Sequence, residues 1–375
     1  MAHSPSLYNT LTKKVEAFAP IDGWEVKMYT CGPSVYDHPH IGNFRTYVVE
    51  DTLKRWLIHQ GWKVKHVMPI TDVDVKSLRR AAREGKSVPE LVKPYTDEFF
   101  GAVKALNLIP ATYVHAGAMF PEMLLNVRKL MEKGFAYVDG NQIFFKLEKA
   151  ADYGILAGRK ITPKTKQIRK SDYYPAEAAD FLLFEKDYNC PRPSWHMHCC
   201  SIGLKYLGKQ IDIQIGGFDN LFSHHENTKT LAEALTGKPY SRFWMHPRHL
   251  LVNNKKMSKS KGNYVTVSGL LAKYSPNAIR MLLLSKHYRK TLNLTEDAMG
   301  NWQKTWKKLE NAYATAKLAK TKNQIEKSEK LKKRFFSYLE NDFRTDKALG
   351  LLTENAGRFD AGFFDAAFFI FGLKY

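Results

Sequence analysis

The chain has 375 residues, 44% hydrophobic and 13% aromatic. That is apolar material for roughly two or three cored domains, and it excludes a disordered or low-complexity polypeptide. Lys and Arg number 58 against 37 Asp and Glu, a formal charge of +21 that draws a protein toward polyanions, nucleic acid before anionic membrane. Four cysteines (Cys31, Cys190, Cys199 and Cys200) make no disulfide framework. They fit a reducing compartment, where thiols bind metals or do chemistry. Residues 1–5 lack the basic-then-apolar pattern of a signal peptide. The Phe-rich stretch Phe363 to Phe371 is broken by Asp365 and falls short of the ~20 residues of a membrane span. A soluble cytoplasmic protein is expected.

In chain order, Glu25 to Thr30 predicts a strand that runs into the turn signal Cys31-Gly32-Pro33. Tyr47, Val48, Leu53, Trp56 and Leu57 recur at helical spacing between Ile41 and Gln60, and a second strand follows at Val64 to Ile70. Strand, helix, strand over this length is a βαβ unit, so a parallel sheet is expected. Two helices are expected over 74–107 and another from Phe120 to Lys133. A hairpin turns around Asp139-Gly140, and an antiparallel insertion fills roughly 135–195. Ile211, Ile213 and Ile215 mark a strand ending at Gly216-Gly217, and Ser223-x-x-Glu226 has the form of a capping box. Beyond Pro276 the chain is expected to be helical throughout. Residues 301–340 hold 11 Lys/Arg against 4 Glu.

Two segments carry chemistry. Cys31 to Asn43 joins a strand's carboxyl end to a helix start, where unpaired N–H groups and the positive dipole end suit phosphate. His40 and Asn43 could both reach that phosphate, and Gly42 would let it approach the backbone. Lys255-Lys256-Met257-Ser258-Lys259-Ser260-Lys261-Gly262 is a cationic loop suited to charge developing on a leaving pyrophosphate.

In this order the two segments resemble the HIGH-like and KMSKS signatures of class I aminoacyl-tRNA synthetases. Six ordered blocks resemble the cysteinyl-tRNA synthetase family: Tyr29-Thr30-Cys31-Gly32-Pro33, His40-Ile41-Gly42-Asn43, Thr71-Asp72-Val73-Asp74, Trp195-His196-Met197-His198-Cys199, His224-His225-Glu226-Asn227 and Met257-Ser258-Lys259-Ser260. The resemblance covers roughly residues 7–360. It implies an α/β fold: a Rossmann-like nucleotide-binding domain (1–110 and 196–270) interrupted by an inserted connective region (111–195), then an all-α domain (271–375).

The resemblance also implies roles. ATP, with Mg2+, would lie against His40, Gly42, Asn43, Gly216, Gly217, Asp219 and Lys259, with Asp219 on the ribose. Lys256 and Lys259 would meet the departing pyrophosphate. Thr71 and Trp195 would border the amino-acid pocket with Cys31 and His224. The family holds one zinc ion with two Cys, one His and one Glu, which grips the thiolate of substrate cysteine. The matching positions are Cys31, Cys199 and His224, but Thr228 stands where glutamate is expected. A hydroxyl is a poor zinc ligand. Either three protein ligands leave a place open for the substrate, or Cys200 or His198 supplies a replacement, or the metal is lost and the amino acid differs. Gln214-Ile215 replaces a usual His-Gly, and Cys190 has no counterpart.

After a helical part the family continues into an anticodon-reading module, for which the chain up to Tyr375 leaves no room. The resemblance therefore implies cysteine activation and transfer to tRNA, with another chain as a candidate source of anticodon recognition. Two alternatives stand beside it. One is a tRNA-independent ligase passing an activated amino acid to a small amine, as in mycothiol synthesis; the other is a non-catalytic RNA-binding paralogue. The surplus of +21 favours tRNA, and the basic stretch from Lys304 to Arg334 is expected to lie against its backbone.

Overall fold

The computed structural model describes residues 5–160, 180–185, 192–257, 262–318 and 325–375. An antiparallel pair, β1 (Ser6–Asn9) and β2 (Lys14–Ala17), opens the chain. The βαβ unit follows as expected: β3 (Glu25–Thr30), α1 (Ile41–His59) and β4 (Lys63–Ile70), with β3 and β4 parallel. Next come α2 (Val75–Glu84), α3 (Val88–Ala105) and β5 (Thr112–His115). Reciprocal capping boxes start both helices, Asp74 with Ser77 and Ser87 with Glu90, satisfying N–H groups that have no partner within the helix.

The insertion holds α4 (Phe120–Glu132) and an antiparallel sheet of β6 (Ala136–Asp139), β7 (Gln142–Phe145), β8 (Phe181–Glu185) and β9 (Arg192–Pro193), then α5 (Trp195–Leu207). The chain then returns to the first sheet through β10 (Ile211–Ile215), α6 (Glu226–Thr236) and β11 (Ser241–Met245). That sheet is parallel, in the order β11-β10-β3-β4-β5. β10 is buried on both faces, as a central parallel strand must be. Its Asp212 is tolerated there because the carboxylate accepts the N–H groups of Ile21 and Lys27, both at 2.6 Å.

β12 (Leu250–Val252) and β13 (Lys255–Lys256) precede α7 (Val267–Leu271) and α8 (Pro276–Leu284). The expectation of uninterrupted helix after Pro276 fails at β14 (Leu292–Leu294), which pairs parallel with β12. Leu292 and Leu294 are buried with Asn293 between them, a period of two that overrides the helical neighbourhood. The remainder is α9 (Glu296–Leu318), α10 (Ile325–Glu340), α11 (Thr345–Glu354) and α12 (Ala361–Phe371). The fold is thus mixed α/β, a parallel Rossmann-like sheet with a helical C-terminal region. Among the described residues no helix is long and apolar enough to cross a membrane.

One apolar core runs from the sheet through α1 into α8, α9 and α12, so the helices are continuous with the parallel sheet. Inside it lies a charged knot. Asp51 on α1, 3% exposed, accepts from Arg55 Nε (2.8 Å), Arg280 Nη2 (2.6 Å) and the Ile109 N–H (2.7 Å). Arg280, fully buried on α8, also donates to the carbonyls of Leu106 and Phe371, and Arg55 to those of Asn107 and Phe369. The basic run of α10 is not one solvated face. Lys332 pairs with Glu329 and Asp360, whereas Lys330, Lys333 and Arg334 are exposed, Arg334 donating to the Tyr338 hydroxyl.

Removing the Asp51 carboxylate would leave two buried guanidinium ions uncompensated. Asp51→Ala is expected to cost about 3–5 kcal/mol in chemical denaturation. A loss below 1 kcal/mol, the scale of a surface pair, would show that the knot does not secure α1.

Candidate active site

In the sheet order, connections from β3 and β10 leave in opposite directions, and the crevice above their carboxyl ends is where an open α/β sheet binds ligands. A cleft of about 390 Å³ opens there. Cys31, His40, Gly42 and Asn43 line one side, Gly217, Asp219 and Asn220 another, and Trp195, Arg248, Lys256 and Met257 complete it.

His40 is the N-cap of α1; its Nδ1 accepts the Asn43 N–H at 3.3 Å. A neutral ring accepting at Nδ1 carries its proton on Nε2, the tautomer able to donate to a phosphate oxygen. At Gly42 a Cβ would stand 2.9 Å from His40 Nδ1 and 3.1 Å from Met257 Cε, so a side chain there would push on the capping imidazole. Lys256 is exposed at the cleft, and Asp219 is exposed on the short helical turn after β10. Lys259 and Cys190 lie outside the described residues.

Behind this wall, Cys31 at the end of β3, Cys199 on α5 and His224 before α6 bring their ligand atoms within 4.8 Å of one another. Cys199 Sγ is 3.3 Å from His224 Nε2, and the Trp195 indole stacks on the His224 ring at 3.7 Å and 9°. Two sulfurs and an imidazole converging in a buried site suit zinc. Thr228 brings no carboxylate, imidazole or thiolate to the cluster, and its hydroxyl donates to the His224 carbonyl at 2.8 Å. His198 and Cys200 are buried but are not in the cluster, which among the described residues has these three members. The donor set therefore matches the open, three-ligand pattern of catalytic zinc.

Thr71 is placed differently from a cleft-lining group. It is buried behind Ser34, donating its N–H to Pro33 and accepting from Val35. Gly216 packs beneath the cleft against His225. The capping box at Ser223 does not form, since the chain enters α6 with His225 already helical. Glu226 instead turns into the insertion, where it accepts the Ala157 N–H at 2.9 Å.

His225, in the His224-His225 block, has no role implied by the sequence, yet it stands beside Cys31. Its Nε2 lies 2.9 Å from Cys31 Sγ and its Nδ1 2.8 Å from His246 Nε2, and His246 Nδ1 reaches Thr10 Oγ1 at 2.9 Å. His196 similarly backs His224, ring nitrogens 3.4 Å apart, and bonds Asn227. Burial pushes both His225 and His196 down to about 3, so each is neutral at physiological pH and serves as a donor–acceptor rather than a charge. Only the fold joins residues 10, 31, 225 and 246, so no local pattern could have announced this relay.

A parallel sheet with the His40 helix start on one wall of its switch-point crevice and the Lys256-Met257 segment on the other is the architecture of the class I aminoacyl-tRNA synthetases. The structure superposes on Mycobacterium tuberculosis methionyl-tRNA synthetase bound to methionyl-adenylate with a TM-score of 0.72 and 14% identity, covering 89% of this chain and 82% of that one, a likeness of fold. Residues 17–304 match the family model "tRNA synthetases class I (C) catalytic domain". The cysteine–tRNA ligase of Thermococcus onnurineus is 37% identical over 93% of this chain and 78% of its own length. That of Chlamydia felis is 42% identical over 78% of this chain, which spans 65% of that relative. The chain belongs to the cysteine–tRNA ligase family.

The metal reading has a direct test. The purified chain is expected to hold about one zinc ion, measured by metal analysis and chelator competition. Cys31→Ser, Cys199→Ser and His224→Ala should each abolish retention, while Thr228→Glu, which places a carboxylate one turn from His224, should tighten it. A chain that stays metal-free when zinc is supplied would remove the thiolate-recognition role of this cluster.

Proposed function

We propose that the chain activates cysteine with ATP and transfers the cysteinyl group to the terminal adenosine of tRNA(Cys). The observation that carries this reading is the Cys31–Cys199–His224 cluster set behind a nucleotide cleft. The cleft offers phosphate donors, and the cluster offers the ligand chemistry that recognises a thiol.

In the first step the cysteine carboxylate attacks the α-phosphorus of ATP, and pyrophosphate departs. In the second, a ribose hydroxyl of the tRNA terminus attacks the acyl carbon and AMP departs. Neither step needs a protein nucleophile, so the protein's part is positioning and charge stabilisation. His40, Asn43 and the start of α1 would hold phosphate oxygens, and Asp219 the ribose hydroxyls. Lys256 and Lys259 would meet charge growing on the pyrophosphate. Cys31, Cys199 and His224 would hold zinc, which when bound supplies a Lewis-acid site for the substrate thiolate. A metal–thiolate bond separates cysteine from serine far better than an apolar pocket could. Mg2+ would accompany ATP. The intact cleft argues against a non-catalytic RNA-binding role, and the surplus of +21 favours RNA over a small amine as acceptor.

Pyrophosphate exchange is expected to require both ATP and cysteine. Lys259→Ala should lower its turnover by about 10²–10³ with a smaller change in the KM for ATP, since the contact strengthens as charge develops. Exchange with another amino acid and none with cysteine would leave the class standing and overturn the substrate. Total absence of exchange would overturn the catalytic reading.

A further inference from the structure

The surplus of positive charge is not spread evenly, and one part of it begins inside the cleft. Arg248, in the loop after β11, lines the cleft and is exposed, and no ion pair holds its guanidinium among the described residues. It lies over the Phe218 ring, 3.5 Å from the centroid. A guanidinium stacked on an aromatic face loses little freedom and keeps its N–H edge free to meet an oxyanion.

The backbone ties Arg248 to a second loop. The Arg248 N–H donates to the Tyr288 carbonyl at 2.7 Å, and the Leu292 N–H to the His249 carbonyl at 3.1 Å. Loop 286–290 therefore lies directly beside the cleft rim, and its Lys286, Arg289 and Lys290 are all exposed. Arg289 also rests on an aromatic face, 4.3 Å from the Tyr8 centroid, and pairs with Asp342. That carboxylate is the one anion bonded to the strip among the described residues; Lys286 and Lys290 have no ion pair there.

We infer that Arg248, Lys286 and Lys290, with Arg289 as their ordered anchor, form a docking strip for the phosphodiester backbone of the acceptor strand, leading its 3′ end into the cleft. This rests on the tRNA reading above and adds where the strand enters. Exposed cations on two adjoining loops, one of which lines the cleft, suit a strand that presents successive phosphates. A free nucleotide would need cations only within the cleft. The stacked Arg248 gives the strip an ordered element, because planar N–H pairs match phosphate oxygens bidentately.

The test uses the full chain and unfractionated tRNA, binding being followed by anisotropy across a salt titration. Lys286→Gln/Lys290→Gln is expected to raise the Kd about tenfold and to lower the log–log salt slope by about 1.5–2, the counterion release of two phosphate contacts, with pyrophosphate exchange unchanged. Arg248→Gln should raise the tRNA Kd and lower the slope by about one contact. Phe218→Leu removes the platform without removing charge, so it should raise the Kd and leave the slope as it was. If the parent binds tRNA and the double variant matches it in Kd and slope, the strip is overturned while the tRNA reading stands. If Arg248→Gln raises the KM for ATP in exchange and leaves tRNA binding intact, Arg248 serves the nucleotide and the strip is likewise overturned. A parent that catalyses exchange and binds no tRNA would overturn both.

Discussion

The carboxylate of Asp51 holds together parts that arrive from opposite ends of the chain. It compensates Arg55 one turn along α1 and Arg280 on α8, and those two arginines take up carbonyls of residues 106, 107, 369 and 371. The same helix that His40 caps at the cleft is thereby fastened to the C-terminal helices. An error in the register of α1 would be felt at the active site, because His40 and Asn43 are presented by its first turn. A buried charge network of this kind adds little net stability, yet it tolerates no partial loss, and it allows one arrangement of the helices around it.

Above the knot, two different solutions to burying polarity meet at one cleft. On the side of His40, the first N–H groups of α1 are largely taken up by Val265 and His40, and the carboxylate of Asp219 is exposed to solvent. On the thiol side, Cys31, Cys199 and His224 are withdrawn from water and surrounded by histidines that burial keeps neutral. Neutral imidazoles can hold a metal ligand's orientation without competing with the metal's charge. Thr228 fits the same logic. Its hydroxyl donates to the His224 carbonyl, which braces the segment that bears His224.

The charge of the protein has a comparable division of labour. Arg45, Arg55, Arg280 and Lys229 are buried and committed to carbonyls or carboxylates within the fold. Lys332, within the basic run of α10, is likewise used internally, to hold α10 against the start of α12. Local charge density along the chain therefore does not by itself tell which cations stay free at the surface. Arg248 and Lys290, which do not stand out in the sequence, become neighbours because β12 and β14 pair in parallel.

By itself the sequence determined the βαβ start, the capped helices of residues 74–107, the hairpin, the inserted antiparallel region and the strand at Ile211. Each rests on short-range periodicity or turn chemistry. It also determined the family, because the blocks around Cys31, His40, Trp195, His224 and Met257 are contiguous words. It could not decide what those words do to one another. Whether Ser223 caps a helix, whether Thr228 has a free hydroxyl, and whether Cys200 or His198 approaches Cys31 depend on how the segment before α6 enters that helix and on which face of α5 meets β3. Only the tertiary structure decided that Glu226 braces the insertion, that His225 and His246 back the thiol, and that a strand interrupts the helices at Leu292. The physical reason is that hydrogen-bond partners of buried polar groups are chosen by distance in space, and sequence spacing encodes that distance only within a helix turn or a hairpin.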